Sequence, residues 1–312
     1  MANSTVDMMR DGLESDEESS PFWTSVIIPN SVLSALLIPI CIAGNVLVLA
    51  AVWRNPSLHT PSTILLCSLA VSDLFVGLLA LPVYITCALT SLSRVSSYLR
   101  LSQASLVLNI QLSCVSLETM TAISVDRYLA LRYQMRYPNM MTSRRATCVA
   151  ATFWCKNFIL SLLIIWKKNT ILLVSVVLFA LCLFTSSITY SAIYRIVRHH
   201  QHQIHAQQQA VQSMNAEQNR NLQAKKRALN TFIYYICMVL CYFPVAVSTL
   251  IWVTYEPHWN ISLYFDTIMY MNSAINPFLY IWRNREIRRA VLKILRKILC
   301  KPDEENLNNG DQ

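Results

Sequence analysis

Glycine is nearly absent from this chain, with four in 312 residues, and only Gly44 and Gly77 fall within apolar sequence. Charge is sparse too: charged residues are 14% of the chain against 54% hydrophobic. A soluble domain carries about 25% charged residues, so this composition excludes one. Strands of roughly ten alternating residues, the mark of a membrane β-barrel, are also missing. Neither internal repeats nor pairs of Gly/Pro-interrupted helices appear, which argues against a transporter built from repeats. No metal or nucleophile motif is visible, so an enzyme is not expected. The acidic, polar start has no apolar run of the kind a cleavable signal peptide needs, and the first apolar segment is expected to act as its own anchor.

Seven long apolar stretches are present: about Val26 to Val52, Ser62 to Leu89, Leu101 to Leu131, Ala146 to Trp166, Ile171 to Val197, Leu229 to Val253 and Ile261 to Trp282. A bilayer core of about 30 Å takes about 20 mostly apolar residues, and a helix satisfies its own backbone polar groups there. The expected fold is an all-α membrane protein: a seven-transmembrane helix bundle over residues 26–283, followed by a short amphipathic eighth helix over 284–300. Residues 1–25 are expected to be a disordered extracellular arm and 301–312 a disordered cytoplasmic tail. Lys and Arg gather after segments one, three, five and seven, including Arg54, Arg132, Arg136, Arg144, Arg195, Arg198 and Lys225, whereas the start holds Asp7, Asp11, Glu14, Asp16, Glu17 and Glu18. Cytoplasmic loops collect bases, so the N-terminus is expected outside. The net charge of +9 is then a topology signal, and no nucleic-acid partner is expected.

Within Glu286 to Leu299, Ile287, Val291, Leu295 and Ile298 recur at helical spacing among many bases. This predicts a helix on the inner leaflet, with its apolar stripe at the acyl boundary and its cations on anionic membrane lipids. The sequons Asn3-Ser4-Thr5 and Asn260-Ile261-Ser262 fall on the outer side, and Asn3 is the expected glycosylation site.

Two motifs mark the cytoplasmic ends of segments three and seven: Asp126-Arg127-Tyr128 and Asn276-Pro277-Phe278-Leu279-Tyr280. Together they resemble the rhodopsin-like (class A) G-protein-coupled receptors, over roughly Val26 to Cys300. The resemblance implies a plasma-membrane receptor that passes an extracellular ligand signal to heterotrimeric G proteins. It also implies that Asp126 restrains Arg127, that Arg127 borders the G-protein cavity, and that Tyr190 and Tyr280 turn inward on activation. Cys241-Tyr242-Phe243-Pro244 is similar to the family's Cys-Trp-x-Pro, with Pro244 as a hinge. Asp73 is an acid inside segment two, where charge is costly. In the family this aspartate joins a sodium site, whose other matching positions here are Ser116, Asn272 and Asn276; a protonated Asp73 without an ion is the alternative. Asn45 is expected to orient Asp73. A palmitoyl group on Cys300 is implied in the same way, with a free thiol as the alternative.

Departures narrow the ligand. The outer helix-three position that carries a disulfide cysteine in most relatives is Ser102, and the second outer loop, about Lys167 to Asn169, holds no cysteine. Most of the 10 Cys are therefore expected to be small buried hydrophobes. Cys182 replaces the helix-five proline, Gln134 the inner-loop proline, and Ala224-Lys225-Lys226-Arg227-Ala228 lacks the acid that locks the arginine, which suggests high basal activity. Asn109 stands at the amine-receptor aspartate and Tyr270 at the retinal lysine. These absences resemble the melanocortin, adenosine and cannabinoid cluster, yet Val83, Ser102, Leu106 and Thr249 lack its ligand residues. The pocket candidates are Asn109, Tyr242, Asp266 and Tyr270; the ligand is open between a small molecule, a lipid and a peptide. A seven-helix transporter or a non-signalling membrane protein is the alternative reading.

Glu118 and Lys156 are unusual charges within helices three and four. A membrane ion pair accounts for both; otherwise Lys156 snorkels and Glu118 is protonated. The His- and Gln-rich stretch of about Arg198 to Ala224 is expected to be a disordered linker.

Overall fold

The computed structural model describes residues 21–92, 98–133, 135–208, 236–251, 253–254 and 262–298. Asn3, Gln134, Asn260, Cys300, the acidic arm, Ala224 to Ala228 and the tail 301–312 lie outside the described residues.

Regular structure among the described residues is entirely helical. The elements are α1 (Pro21–Trp53), α2 (Pro61–Leu92), α3 (Tyr98–Arg132), α4 (Ser143–Leu163), α5 (Lys168–Gln208), α6 (Ile236–Ile251), α7 (Ser262–Arg283) and α8 (Arg285–Ile298). Short polar side chains start several of them. Thr60 accepts from the Thr63 amide ahead of Pro61, Thr142 accepts from the Arg145 amide, and Asn284 accepts from the amides of Glu286 and Ile287. Each cap satisfies donors that a helix leaves open in its first turn.

Several boundaries differ from the sequence expectation. Residues 21–25, expected in the disordered arm, are helical, because Pro21 at the first position costs the helix nothing. α5 continues past Val197 to Gln208, so the expected linker from Arg198 begins as helix; that run contains no Gly or Pro, and its Gln and Ala favour helix. α2 winds through a π-helical segment, Val76–Ala80, that no residue pattern announced. Among the described residues, five helices are long and apolar enough to cross a membrane by length and composition alone. The described α6 is short, and α7 spends core positions on Asp266, Thr267, Asn272, Ser273 and Asn276.

α3 is central, in contact with α2, α4 and α5, while α7 packs on α1 and α2. The outer surface is apolar: Leu36, Phe184 and Leu240 are each more than 60% exposed. Water would penalise such a surface and lipid does not. The stripe on α8 works differently from the expectation. Ile287, Val291 and Ile294 are buried against Ala51, Val52 and Leu58, so they face protein rather than acyl chains, and Leu295 is only packed at the edge.

Both glycines of the bundle sit at helix crossings. A Cβ on Gly44 would lie 2.8 Å from Cγ of Pro277, and one on Gly77 would lie 2.9 Å from Cβ of Cys41. A proline ring cannot rotate away, so Gly44 sets how closely α1 approaches the α7 motif. Gly44→Ala is expected to destabilise by about 1–3 kcal/mol through overpacking. Thermal unfolding of the purified protein checks this, with an unchanged midpoint contradicting it.

Candidate functional site

The polar residues of the bundle group at three levels along α3 and α7. At the inner level, Asp126 is fully buried. Its Oδ2 accepts from Ser62 Oγ at 2.5 Å and its Oδ1 from the Tyr137 hydroxyl at 2.8 Å. Ser62 opens α2 and Tyr137 lies in the helical turn Tyr137–Met140, so the carboxylate ties α3 to both. Burial, together with the adjacent Asp126 carboxylate, pushes the Tyr137 phenol up, although the bond with Ser62 opposes it; the phenol stays a donor. Sequence reasoning gave Asp126 only Arg127 to restrain and missed both hydroxyls; Tyr137 follows Arg136 in the inner loop without a motif of its own. Tyr190 is half-buried, and its hydroxyl hydrogen-bonds Ser124 Oγ at 2.7 Å. Tyr280 is buried at the inner end of α7.

At the middle level, Asp73 has no exposed surface. Asn276 Nδ2 donates to its Oδ2 at 2.8 Å and Ser116 Oγ donates to its Oδ1 at 3.4 Å. Asn272 Nδ2 donates to the Tyr242 hydroxyl at 3.3 Å. The tyrosine that replaces the family's tryptophan thus connects α6 to the polar residues of α7. Its ring is edge-on to Phe179, with centroids 5.9 Å apart. Asn45 does not reach Asp73 as expected: its amide donates to the carbonyls of Cys41 and Ser273, joining α1 to α7. Asn272 Oδ1 and Asn276 Oδ1 are buried without a hydrogen-bond partner among the described residues. Two orphaned amide oxygens near a carboxylate are hard donors of the kind an alkali cation takes.

At the outer level, Asn109 Nδ2 donates to Asp266 Oδ1 at 3.3 Å, joining α3 to α7 across the bundle. Ser113 Oγ lies 2.5 Å from the Asn109 carbonyl and 3.0 Å from its Oδ1. Tyr270, one turn below Asp266, is buried with its ring edge-on to Tyr84 at 5.5 Å. Tyr84 in turn accepts from Asn30 at 2.8 Å and from Thr267 at 3.4 Å. Asn109 and Asp266 therefore meet, whereas Tyr270 turns toward α2 and Tyr242 lies deeper. Pro244 lies within α6, two residues beyond Tyr242.

Glu118 and Lys156 form an ion pair between α3 and α4, with 8% and 39% of their side chains exposed. Asn157, fully buried, donates to the other Glu118 oxygen at 3.0 Å. Sequence reading missed that third member, since an Asn in a helix carries no signal of its own. Nearby, Trp154 donates to Ser68 Oγ at 3.1 Å. The nine described cysteines are free thiols; Cys41, Cys114 and Cys241 are buried, while Cys148 and Cys155 are exposed on the outer face of α4, fewer buried than expected.

An all-helical apolar bundle with a central carboxylate, linked asparagines and a clasped aspartate at its inner end defines a seven-helix membrane receptor. The family description "7 transmembrane receptor (rhodopsin family)" matches residues 44–171 and 163–280, and the chain belongs to that family. The chain is 31% identical over 309 residues to the adenosine receptor A2b of Bos taurus, covering 86% of this chain and 90% of that one. It is 28% identical over 306 residues to the histamine H2 receptor of Canis lupus familiaris (88% and 81% covered). It is 28% identical over 313 residues to melanocortin receptor 3 of Homo sapiens (94% and 92% covered). The protein is a G-protein-coupled signalling receptor and not an enzyme.

The ion pair yields a direct expectation. Lys156→Met and Glu118→Gln should each lower the thermal midpoint, and the double variant should lose less than their sum. The coupling expected for such contacting charges is roughly 0.5–3 kcal/mol. A double-mutant cycle in purified protein measures it, and strict additivity would exclude a net pair energy.

Proposed function

We propose that this receptor sits in the plasma membrane with its N-terminus outside, binds its ligand around Asn109 and Asp266, and couples to a heterotrimeric G protein beside Arg127. The observation that carries this reading is the hydrogen bond from Asn109 to Asp266 above the Tyr242–Asn272 link and the Asp73–Asn276 bond. A ligand that separates Asn109 from Asp266 shifts α3 against α7. That shift acts on the two helices whose deeper residues hold Tyr242 and Asp73. Binding is thereby linked to α6, the helix with Pro244. Asp266 is the one carboxylate at that level among the described residues, and it suits a ligand with a cationic group. Tyr270 lies beneath as a wall of the same region.

Asp73, Ser116, Asn272 and Asn276 are assigned to a sodium ion. Support comes from the orphaned Oδ1 atoms of Asn272 and Asn276 beside the Asp73 carboxylate. A bound cation would neutralise Asp73 and favour the arrangement in which α2, α3 and α7 are drawn together. The residues themselves hold this arrangement through the Ser116 and Asn276 bonds to Asp73. Glycosylation of Asn3 and acylation of Cys300 belong to the same proposal.

Two measurements test the reading. Cyclic AMP in cells expressing the wild type and Arg127→Ala, with and without forskolin, should differ in a direction that reports the G-protein subtype; wild type equal to variant in both arms would exclude basal coupling through cyclic AMP. In membranes, replacing sodium with N-methylglucamine should raise basal nucleotide exchange, and Asp73→Asn should abolish the response. A sodium response that persists in Asp73→Asn would remove the ion from this site.

A further inference from the structure

On the flank of the bundle that faces the membrane, a groove of about 490 Å³ runs between the inner ends of α3 and α5. Tyr128 and Arg132 line it from α3; Ile188, Ser191, Ala192 and Arg195 line it from α5. The α5 residues form one stripe at helical spacing, and it is the stripe turned away from the bundle. Ile188 is 55% exposed, and Ser191 and Arg195 are exposed, whereas Ile193 is buried and Tyr190 reaches inward to Ser124.

Depth fixes what the groove meets. From Lys168 to Arg195 the helix runs about 40 Å at ~1.5 Å per residue. The hydrocarbon core is about 30 Å thick and the bilayer with headgroups about 40–45 Å. Arg195 therefore stands at headgroup level on the far side from Lys168, and Arg132 ends α3 on the same side. Both arginines are exposed, and neither has a carboxylate partner among the described residues. The remaining lining is two serines, a tyrosine and the apolar side chains of Ile188, Ala192 and Ile196. Two unpaired guanidiniums above an apolar slot open to the membrane match a phosphate headgroup above an acyl chain.

We propose that this groove binds an anionic phospholipid of the cytoplasmic leaflet, with Arg132 and Arg195 holding the headgroup phosphate and Ile188 and Ala192 receiving the upper acyl chain. The word cytoplasmic rests on the orientation proposed above; the binding does not. Because Tyr128 lines the groove and adjoins Arg127, an occupied groove braces α3 at its signalling end.

The test uses the full-length receptor in nanodiscs of phosphatidylcholine alone or with 5% phosphatidylinositol 4,5-bisphosphate, and counts bound lipid by native mass spectrometry after release. Wild type should retain the anionic lipid, and Arg132→Gln/Arg195→Gln should lose it at least tenfold. A receptor with Arg285→Gln/Arg289→Gln on α8, the other basic membrane face, should keep the groove-dependent fraction. Ser191→Trp, which fills the groove without removing charge, should weaken retention as well and guards against a misfolded arginine variant. Soluble inositol trisphosphate competing as well as the lipid would mean a phosphate site without acyl recognition and would overturn the proposal. Loss only in the α8 variant would overturn it too. So would unchanged lipid retention in groove variants that no longer activate a G protein, which would assign the groove to the transducer. Antibody access to an N-terminal tag on intact cells reads the orientation separately, so a failed orientation and a failed lipid site give different results.

Discussion

The fold depends on one carboxylate withdrawn from the protein surface. Asp73 is fully buried in the middle of an apolar bundle, and a charge so placed persists only if the protein supplies its partners. Those partners come from α3 and α7, which are far apart in sequence, so the cost of burying Asp73 fixes which helices must meet and at what height. Ser116 and Asn276 answer that requirement directly, and Asn272 extends it to Tyr242 on α6. Gly44 permits the same meeting from the other side, because α1 can reach Pro277 only where no side chain intervenes. Packing and polarity thus converge on one helix, α7, which carries Thr267, Asn272, Ser273 and Asn276 in buried positions.

α3 carries the second half of the arrangement. Its buried face holds Ser113, Ser116, Glu118, Thr119, Thr121, Ser124 and Asp126, an unusual density of polar groups for a membrane helix. All but Thr119, which bonds the Val115 carbonyl of its own helix, meet a partner from another element: Ser113 meets Met269, Ser116 Asp73, Glu118 Lys156 and Asn157, Thr121 Ser186, Ser124 Tyr190, and Asp126 Ser62 and Tyr137. Hydrogen bonds across membrane helices average below about 1 kcal/mol each, so their value lies less in stability than in register. A helix pinned at so many heights cannot slide by a turn without leaving several groups unsatisfied together. Pro244 breaks the hydrogen-bond ladder of α6 and gives that helix a point about which to move.

The sequence made the seven segments, their order and the three polar levels legible, because length, apolarity and charge are local properties. Asp73 and Asp126 stood out since an acid among apolar residues is conspicuous in any window. Their partners were less visible. Ser62, Tyr137 and Asn157 have ordinary neighbours in sequence, and only tertiary placement shows that Ser62 and Tyr137 clasp one carboxylate or that Asn157 completes an ion pair. Asn45 misled in the opposite way, since the family resemblance set it beside Asp73 while its amide reaches backbone carbonyls of α1 and α7. The stripe on α8 was correct in spacing and wrong in environment: amphipathicity states that one face avoids water, not whether lipid or protein covers it. The extension of α5 shows the same limit, as polarity was read as disorder where helix propensity prevailed.

The inner end of α3 joins these threads. Asp126 directs both oxygens to hydroxyls on α2 and the inner loop, so its charge is spent on holding the helix end in place as well as on its neighbour Arg127. An acid that served the arginine alone could be relieved by one rearrangement. An acid engaged by Ser62 and Tyr137 resists, because its release exposes a buried carboxylate and two hydroxyls together. Freeing the inner end of α3 therefore requires the first inner turn of α2 and the loop at Tyr137 to yield with it. That makes the segment after Tyr128, and not only the aspartate–arginine step, part of what a ligand must move.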